Sequence, residues 1–141
     1  MTLMLDSPVT MRTAASNCLA NFAMFSGRAS RAEFGWWLAA LTVATAVHLA
    51  FDALVSAPLL GFPMFSPDAG RPLTVIGSAV LTIPTLAVAA RRLHDTGRSG
   101  AWLWLLLAPG VGLLALGWLL TRPSAPRDNR HGPYAGALRA D

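Results

Sequence analysis

Charged residues are scarce in this sequence, and lysine is missing altogether. Only 13% of the 141 residues are charged and 54% are apolar, whereas soluble domains carry about 25% charged residues. A soluble domain of this length would lack the polar side chains to cover its surface, so the composition favours a single domain embedded in a membrane. Cys18 is the only cysteine, which excludes an internal disulfide and a thiolate metal site, and we interpret it as a small buried residue.

A secretory signal and a continuous basic stripe are also missing. Asp6, Ser7 and Pro8 come before any apolar core, so we expect no cleaved leader. The formal net charge is +4, but the arginines lie in polar segments beside apolar runs, a pattern typical of charges that set membrane topology. We therefore expect no nucleic-acid partner.

Long apolar runs are what the sequence does contain. They cover residues 36–57, 72–90 and 101–121, and a helix of about 20 apolar residues crosses the hydrocarbon core of a bilayer. Trp36 and Trp37 open the first run, where indole rings favour the headgroup level. Pro72 opens the second run, and Pro84 inside it predicts a kink. The three runs predict three transmembrane helices.

The third run has two interpretations. Pro109, Gly110 and Gly112 interrupt its middle, so it forms either one kinked span or a re-entrant helical hairpin. Each half alone is too short to cross a bilayer, and this favours the single span.

The segments outside the runs are more polar. The N-terminal segment, residues 1–26, predicts a short amphipathic helix in the membrane interface, with a partly ordered tail as an equal alternative. The apolar residues that recur there at helical spacing are Met11, Ala14, Ala15, Cys18, Leu19, Phe22 and Phe25. Residues 122–141 form a polar tail that we expect to be disordered in part.

The predicted fold is thus an all-α integral membrane bundle of three transmembrane helices plus an N-terminal interfacial helix. One chain of this size buries little helix–helix surface, so a homo-oligomer or a membrane-protein partner is consistent with it.

The arginines predict an orientation, because positive residues favour the cytoplasmic side. The opposite side receives only Arg71 from its loop, so we expect the N-terminus in the cytoplasm. A single third span then places the C-terminal tail outside, whereas a hairpin would return it to the cytoplasm. The arginines that fall on the cytoplasmic side are Arg12, Arg28, Arg31, Arg91, Arg92 and Arg98, and those of the tail are Arg122, Arg127, Arg130 and Arg139.

Three motifs carry a family resemblance. They are FSGRASRAEFGWW at residues 25–37, RRLHDTGRSGAW at residues 91–102 and the weaker DNRHGP at residues 128–133. In this order around three apolar runs, they resemble the domain of unknown function 805 family, the YhaH-like small bacterial inner-membrane proteins. The resemblance implies a bacterial inner-membrane location and supplies no activity. Gly35, Ala101 and His131 stand where the family more often has an aromatic residue.

Two polar groups of residues are candidates for chemistry. The first lies where the first span starts and the second span ends, so its members can meet at one interface. It predicts either a site for anionic lipid headgroups or ion pairs that hold the helix ends together, and structural ion pairs are the more common. Its residues are Arg28, Arg31, Glu33, Arg91, Arg92, His94, Asp95 and Arg98.

The second group lies inside the apolar runs. Its residues share one face of each of two antiparallel spans, so we predict that these faces meet. An ionisable pair inside a membrane suggests a proton relay or cation site, but polar residues serve more often as hydrogen-bonding contacts between helices. The residues are Thr45, His48 and Asp52 on the first span and Thr74, Ser78 and Thr82 on the second.

These observations leave three functional hypotheses. The preferred one is a non-enzymatic inner-membrane protein that binds an anionic lipid or a partner at its cytoplasmic face. The alternatives are a small transporter or proton-coupled carrier using His48 and Asp52, and, ranked last, a membrane enzyme using His94 with Asp95 or Glu33 on a lipid phosphate. No catalytic, cofactor or metal motif is recognisable, so we expect no cofactor and no metal.

Overall fold

The structure, a computed structural model, describes residues 9–132. Residues 1–8, and residues 133–141 of the predicted tail, lie outside this range. The described chain is built from helices joined by short connections. Its elements are α1 (Met11–Ala20), α2 (Arg31–Phe51), a π-helical segment (Asp52–Ser56), α3 (Ala57–Leu59), a 3₁₀ helix (Pro67–Ala69), α4 (Pro72–Asp95), a second 3₁₀ helix (Gly100–Leu107) and α5 (Val111–Thr121).

Two helices are long and apolar enough to cross a membrane. The first runs without interruption from Arg31 to Leu59 over 29 residues, and the second is α4 with 24 residues. At about 1.5 Å per residue they measure roughly 43 and 36 Å, and a bilayer core is about 30 Å thick. Only 6% and 28% of their apolar windows are buried inside the chain, which is unlike the core helices of a soluble domain.

Helix α4 extends beyond the predicted span of residues 72–90. Arg91 to Asp95, which follow the predicted second run, form its last turn, and Arg92 and Leu93 are fully buried there. The helix then stops at Gly97, whose φ is +78°. The amide of Gly97 donates to the carbonyl of His94, and the amide of Arg98 donates to the carbonyl of Leu93, both at 2.9 Å. This is the Schellman arrangement, which ends a helix at a glycine.

Helices α2 and α4 are antiparallel, as predicted. At one end the carboxylate of Asp52 accepts hydrogen bonds from the start of α4. Further along, the indole nitrogen of Trp37 donates to the hydroxyl of Thr85 at 3.1 Å. Thr85 itself donates to the carbonyl of Leu81, one turn before it on α4.

The third apolar run is not one helix. It forms two arms, the 3₁₀ helix Gly100–Leu107 and α5, in place of the single kinked helix that we favoured over residues 101–121. Proline disfavours the α conformation in the residue before it, and Ala108 before Pro109 adopts φ −102°, ψ 89°. Gly110 then takes φ +80°, a region open to glycine.

Both ends of this run lie beside the end of α4. The amide of Gly100 donates to Nε2 of His94 at 3.2 Å, and Nε of Arg92 donates to the carbonyl of Leu120 at 3.0 Å. The arms therefore make a hairpin that leaves the end of α4 and returns to it. This places the following residues from Arg122 at that same end, and not at the opposite end as the single span predicted.

The buried core is concentrated at this end of the helix pair. One cluster joins α4 to α5 and another joins α1 to α2 and α4. The first contains Ala89, Leu93, Leu116, Leu119 and Leu120, and the second contains Cys18, Ala29, Trp37 and Val88. Among the described residues of the N-terminal segment, the predicted helix exists as α1, begun by a capping box between Thr10 and Thr13.

Candidate functional site

Asp95 is the centre of the polar cluster predicted at this end. Its side chain is 2% exposed and accepts from Nε of Arg28 at 2.9 Å. It also accepts from the guanidinium of Arg92 and the hydroxyl of Ser124. The structure thus pairs one buried carboxylate with two buried arginines, and charge-assisted hydrogen bonds of this kind are about twice as strong as neutral ones.

The two arginines satisfy their remaining donors with backbone carbonyls. Arg28 donates to the carbonyl oxygens of Asp95, Ala125, Arg127 and Gly132 at 2.9 to 3.4 Å. Arg92 donates to the carbonyls of Leu120 and Arg122. Apart from that of Asp95, which ends α4, these carbonyls belong to the end of α5 and to the chain after it, so the arginines attach the C-terminal segment to α4.

A second ion pair attaches α2 to α4. Arg91 donates to Oε1 of Glu33 at 3.2 Å, and its other amino group lies 3.9 Å from the sulfur of Cys18. Burial raises the pKa of the Cys18 thiol to about 11, and Glu33 adds to this effect while Arg91 opposes it. The thiol is therefore neutral, which agrees with a small buried residue. We call the five charged residues of these contacts the clasp: Arg28, Glu33, Arg91, Arg92 and Asp95.

His94 joins three segments beside the clasp. Its Nε2 must accept, because it faces the amide of Gly100, so Nδ1 carries the proton that is donated to the carbonyl of Gly27 at 3.2 Å. The ring of His131 stacks on it with centroids 3.8 Å apart. Asn129 also donates to the carbonyl of His94 at 2.9 Å. The first part of the predicted tail, residues 122–132, therefore docks on α4, and the rest of it lies outside the described residues.

The stacked ring of His131 stands among positive groups. Partial burial lowers its pKa, and the neighbouring His94, Arg130 and Arg28 lower it further. The ring is neutral near pH 7. It occupies the place where an aromatic residue is more usual in the family that the sequence motifs resemble.

The remaining cluster arginines form an outer rim. Within the described residues, the structure records no side-chain hydrogen bond for Arg31 or Arg98. Arg122 lies over the indole of Trp118, 4.6 Å from the ring centroid, and Nε of Arg130 donates to His131 at 3.1 Å. We call Arg31, Arg98, Arg122 and Arg130 the rim. Every described arginine except Arg12 and Arg71 belongs to the clasp, the rim or the C-terminal segment that contacts them.

The second predicted group, inside the apolar helices, comes together only in part. Asp52 is 2% exposed and accepts from the amides of Leu73 and Thr74 at 3.1 and 2.7 Å and from the hydroxyl of Thr74 at 2.8 Å. It therefore caps α4, whose own N-cap residue, Arg71, makes no side-chain cap hydrogen bond. A carboxylate at this position satisfies amides that a helix start leaves unpaired.

The other members of this group make no hydrogen bond from one helix to the other. Thr45, Ser78 and Thr82 each donate to a carbonyl of their own helix. The ring of His48 lies against Gly77, where an added Cβ would be 2.7 Å from Nδ1. A glycine here thus lets the two helices approach, and His48 and Asp52 form no polar chain with Ser78 or Thr82.

The contacts limit the chemistry that the site supports. Both ring nitrogens of His94 are engaged in hydrogen bonds to the backbone, and the carboxylate of Asp95 faces two arginines. The two side chains are therefore not placed to transfer a proton between them. Among the described residues, no three His, Cys, Asp or Glu side chains group as metal ligands would. Sequence reasoning missed Ser124 and Asn129. It also missed the backbone carbonyls that accept hydrogen bonds from Arg28 and Arg92, because every residue has a carbonyl and no side chain marks these positions.

Comparisons with known proteins agree on one family. Residues 22–133 match the family described as protein of unknown function (DUF805). The chain is 33% identical to inner membrane protein YhaI of Escherichia coli K12 over 114 residues, covering 81% of this chain and 87% of that protein. It is 33% identical to inner membrane protein YhaH of the same strain over 115 residues, 82% and 89% of the two chains. A shorter match, 42% over 57 residues, is to the uncharacterized protein YiiR. No solved structure matches the chain significantly.

Proposed function

Because this chain belongs to the DUF805 family and is an inner-membrane protein, we propose that it is a non-enzymatic binding protein whose basic end holds anionic phospholipid headgroups. In this proposal α2 and α4 cross the membrane, and the hairpin enters from the cytoplasmic side and returns to it. The N-terminus and the C-terminal segment are then both cytoplasmic.

The observation that carries the proposal is the collection of the arginines at one end of the helix pair. A three-span arrangement would place Arg122, Arg127 and Arg130 opposite Arg28 and Arg92, against the preference of positive residues for the cytoplasm. The hairpin removes this conflict, and Arg71 is the one described arginine placed beyond the start of α4, at the opposite end.

Within this end, the clasp and the rim have different roles. The clasp arginines are directed at Asp95, Glu33 and backbone carbonyls, so they stabilise the protein and do not bind a headgroup. The rim arginines Arg31 and Arg98 have their charges available, and each arginine near an anionic surface contributes about 1 kcal/mol of attraction. Two tryptophans that are about half exposed accompany the rim, as interface anchors do: Trp102 follows Arg98 closely in sequence, and Trp118 lies beneath Arg122.

The test is lipid co-purification, measured by native mass spectrometry of the full chain released from membranes. The triple variant Arg31→Gln, Arg98→Gln, Arg130→Gln should lose most bound anionic lipid, while Arg71→Gln, a matched control at the opposite end, should keep it. Equal lipid on both variants refutes the proposal. Loss of a co-purifying polypeptide in place of lipid would favour the protein-partner hypothesis.

A further inference from the structure

We propose that this protein is a wedge that responds to membrane curvature, with its wide end in the cytoplasmic leaflet. It favours membranes in which that leaflet is convex. The inference rests on the orientation given above but does not depend on headgroup binding. It follows from how much protein the structure places at each depth.

The hairpin reaches only half-way across a bilayer. Its 3₁₀ arm has 8 residues, or about 16 Å at 2.0 Å per residue, and α5 has 11 residues, or about 16 Å at 1.5 Å per residue. Half of a hydrocarbon core is about 15 Å. The two arms are about equal in length, and this length is close to half the thickness of the hydrocarbon core. The turn at Pro109 therefore lies near the midplane of the bilayer.

The turn is built for an apolar environment. Leu107 and Val111, on either side of it, are 75% and 79% exposed. The rest of the described chain covers little of these two side chains, and lipid chains contact their exposed surface. At the turn, the amide of Ala108 donates to the carbonyl of Leu105, and the amide of Gly112 donates to that of Ala108, both at 3.0 Å, so these groups have the internal partners that hydrocarbon requires.

The cross-section therefore differs between the two leaflets. Four helical segments occupy the cytoplasmic half: α2, α4 and the two arms. Only α2 and α4 continue into the other half, where Val47 of α2 and Val75 of α4 are about 60% exposed. With a diameter of about 10 Å per helix, the excess is roughly 150 to 200 Å² in one leaflet.

The N-terminal helix adds to the same side. Helix α1 packs with Ala14 and Cys18 against the basic end, while Met11 and Leu19 remain 40% and 51% exposed. An amphipathic helix that lies in the headgroup region widens that leaflet, and such helices respond to curvature. The loop at the other end is irregular apart from one 3₁₀ turn, so it cannot enter the hydrocarbon exposed and compensate for this.

The experiment measures orientation in vesicles made only of zwitterionic lipid, so that headgroup charge plays no part. The full chain with a cleavable C-terminal tag is reconstituted into small, highly curved vesicles and into large, nearly flat ones. External protease then reports the fraction with the basic end outward. We expect the outward-to-inward ratio to be severalfold higher in the small vesicles, because their outer leaflet is convex.

A pair of variants tests the hairpin as the cause. Arginines at Leu107 and Val111 would be expelled from the midplane and lift the turn, so Leu107→Arg with Val111→Arg should remove the size dependence. The apolar control Leu107→Met with Val111→Leu should keep it. An equal ratio in both vesicle sizes for the unaltered chain overturns the proposal, whether or not the arginine variant inserts. Lipid loss in the rim variant is a separate result and bears only on headgroup binding.

Discussion

Replacing Asp95 by asparagine should release the C-terminal segment from α4. Asparagine keeps the shape of the side chain but removes the charge that faces Arg28 and Arg92, whose side chains are 4% and 0% exposed. Leaving a buried charge without its partner costs about 3 to 5 kcal/mol. The cost exceeds that of a neutral hydrogen bond, about 1 kcal/mol, so Ser124→Ala should have a much smaller effect.

The effect should also be local. Asp95 holds the segment before α2 and the segment after α5, whereas the contact of Trp37 with Thr85 lies further along the helix pair. Amide hydrogen exchange in residues 122–132 should therefore rise, by roughly a hundredfold for about 3 kcal/mol. Amides near Trp37 should change little.

Hydrogen exchange with mass spectrometry, on protein in detergent micelles or nanodiscs, measures this directly. Asp68→Asn makes the same chemical change at an exposed position of the opposite end, where surface substitutions usually stay within about 0.5 kcal/mol. If residues 122–132 exchange at the same rate in Asp95→Asn and Asp68→Asn, the clasp does not hold the segment and the reasoning fails.

Three further predictions concern other contacts. Gly112→Ala should open the hairpin, because a Cβ there would collide with the carbonyl of Leu105, and a cross-link between the two arms that still forms at normal yield would contradict this. Asp52→Ala should lower the thermal unfolding temperature, since loss of a cap costs about 1 to 2 kcal/mol, and an unchanged melting curve would contradict it. Docking of the C-terminal segment should weaken in acid, because the pKa of His131 lies below its ordinary 6.5 through burial, His94 and neighbouring arginines. The contribution of the neutral ring is complete above pH 6.5 and is lost as the pH falls through the lowered value. The protection of residues 122–132, which is their exchange rate relative to the intrinsic rate at each pH, should therefore fall in acid, and His131→Phe, which keeps the stack, should lose this fall.

Much of the helix pair could be predicted from the sequence. The length of the apolar runs alone locates α2 and α4, because a run of about 20 apolar residues is typical of a transmembrane helix. The carboxylates of the clasp could be predicted too, since Glu33 and Asp95 are the acids nearest to the arginines in the two basic motifs. The antiparallel direction of the helices also placed Asp52 opposite Thr74, where the structure has it.

The role of Asp52 and the order of the C-terminal segment could not be predicted in this way. Asp52 accepts mainly from backbone amides, which every residue carries, so the sequence shows a buried acid but not the cap. The residues after α5 are polar and rich in proline and arginine, a composition typical of disorder. They are ordered because their backbone carbonyls accept hydrogen bonds from Arg28 and Arg92. The positions of these carbonyls depend on the fold and not on side-chain identity.

The hairpin shows which of two competing signals was the stronger. Length favoured one span over residues 101–121, since neither arm crosses a bilayer alone. Charge favoured a hairpin, because a single span would place the tail arginines opposite Arg28 and Arg92. A half-length arm is stable here because α5 buries Leu116, Leu119 and Leu120 on α4 and because Arg92 secures its end. The length rule applies to helices that lipid surrounds on all sides, whereas an arm held at its base by buried ion pairs needs no second interface.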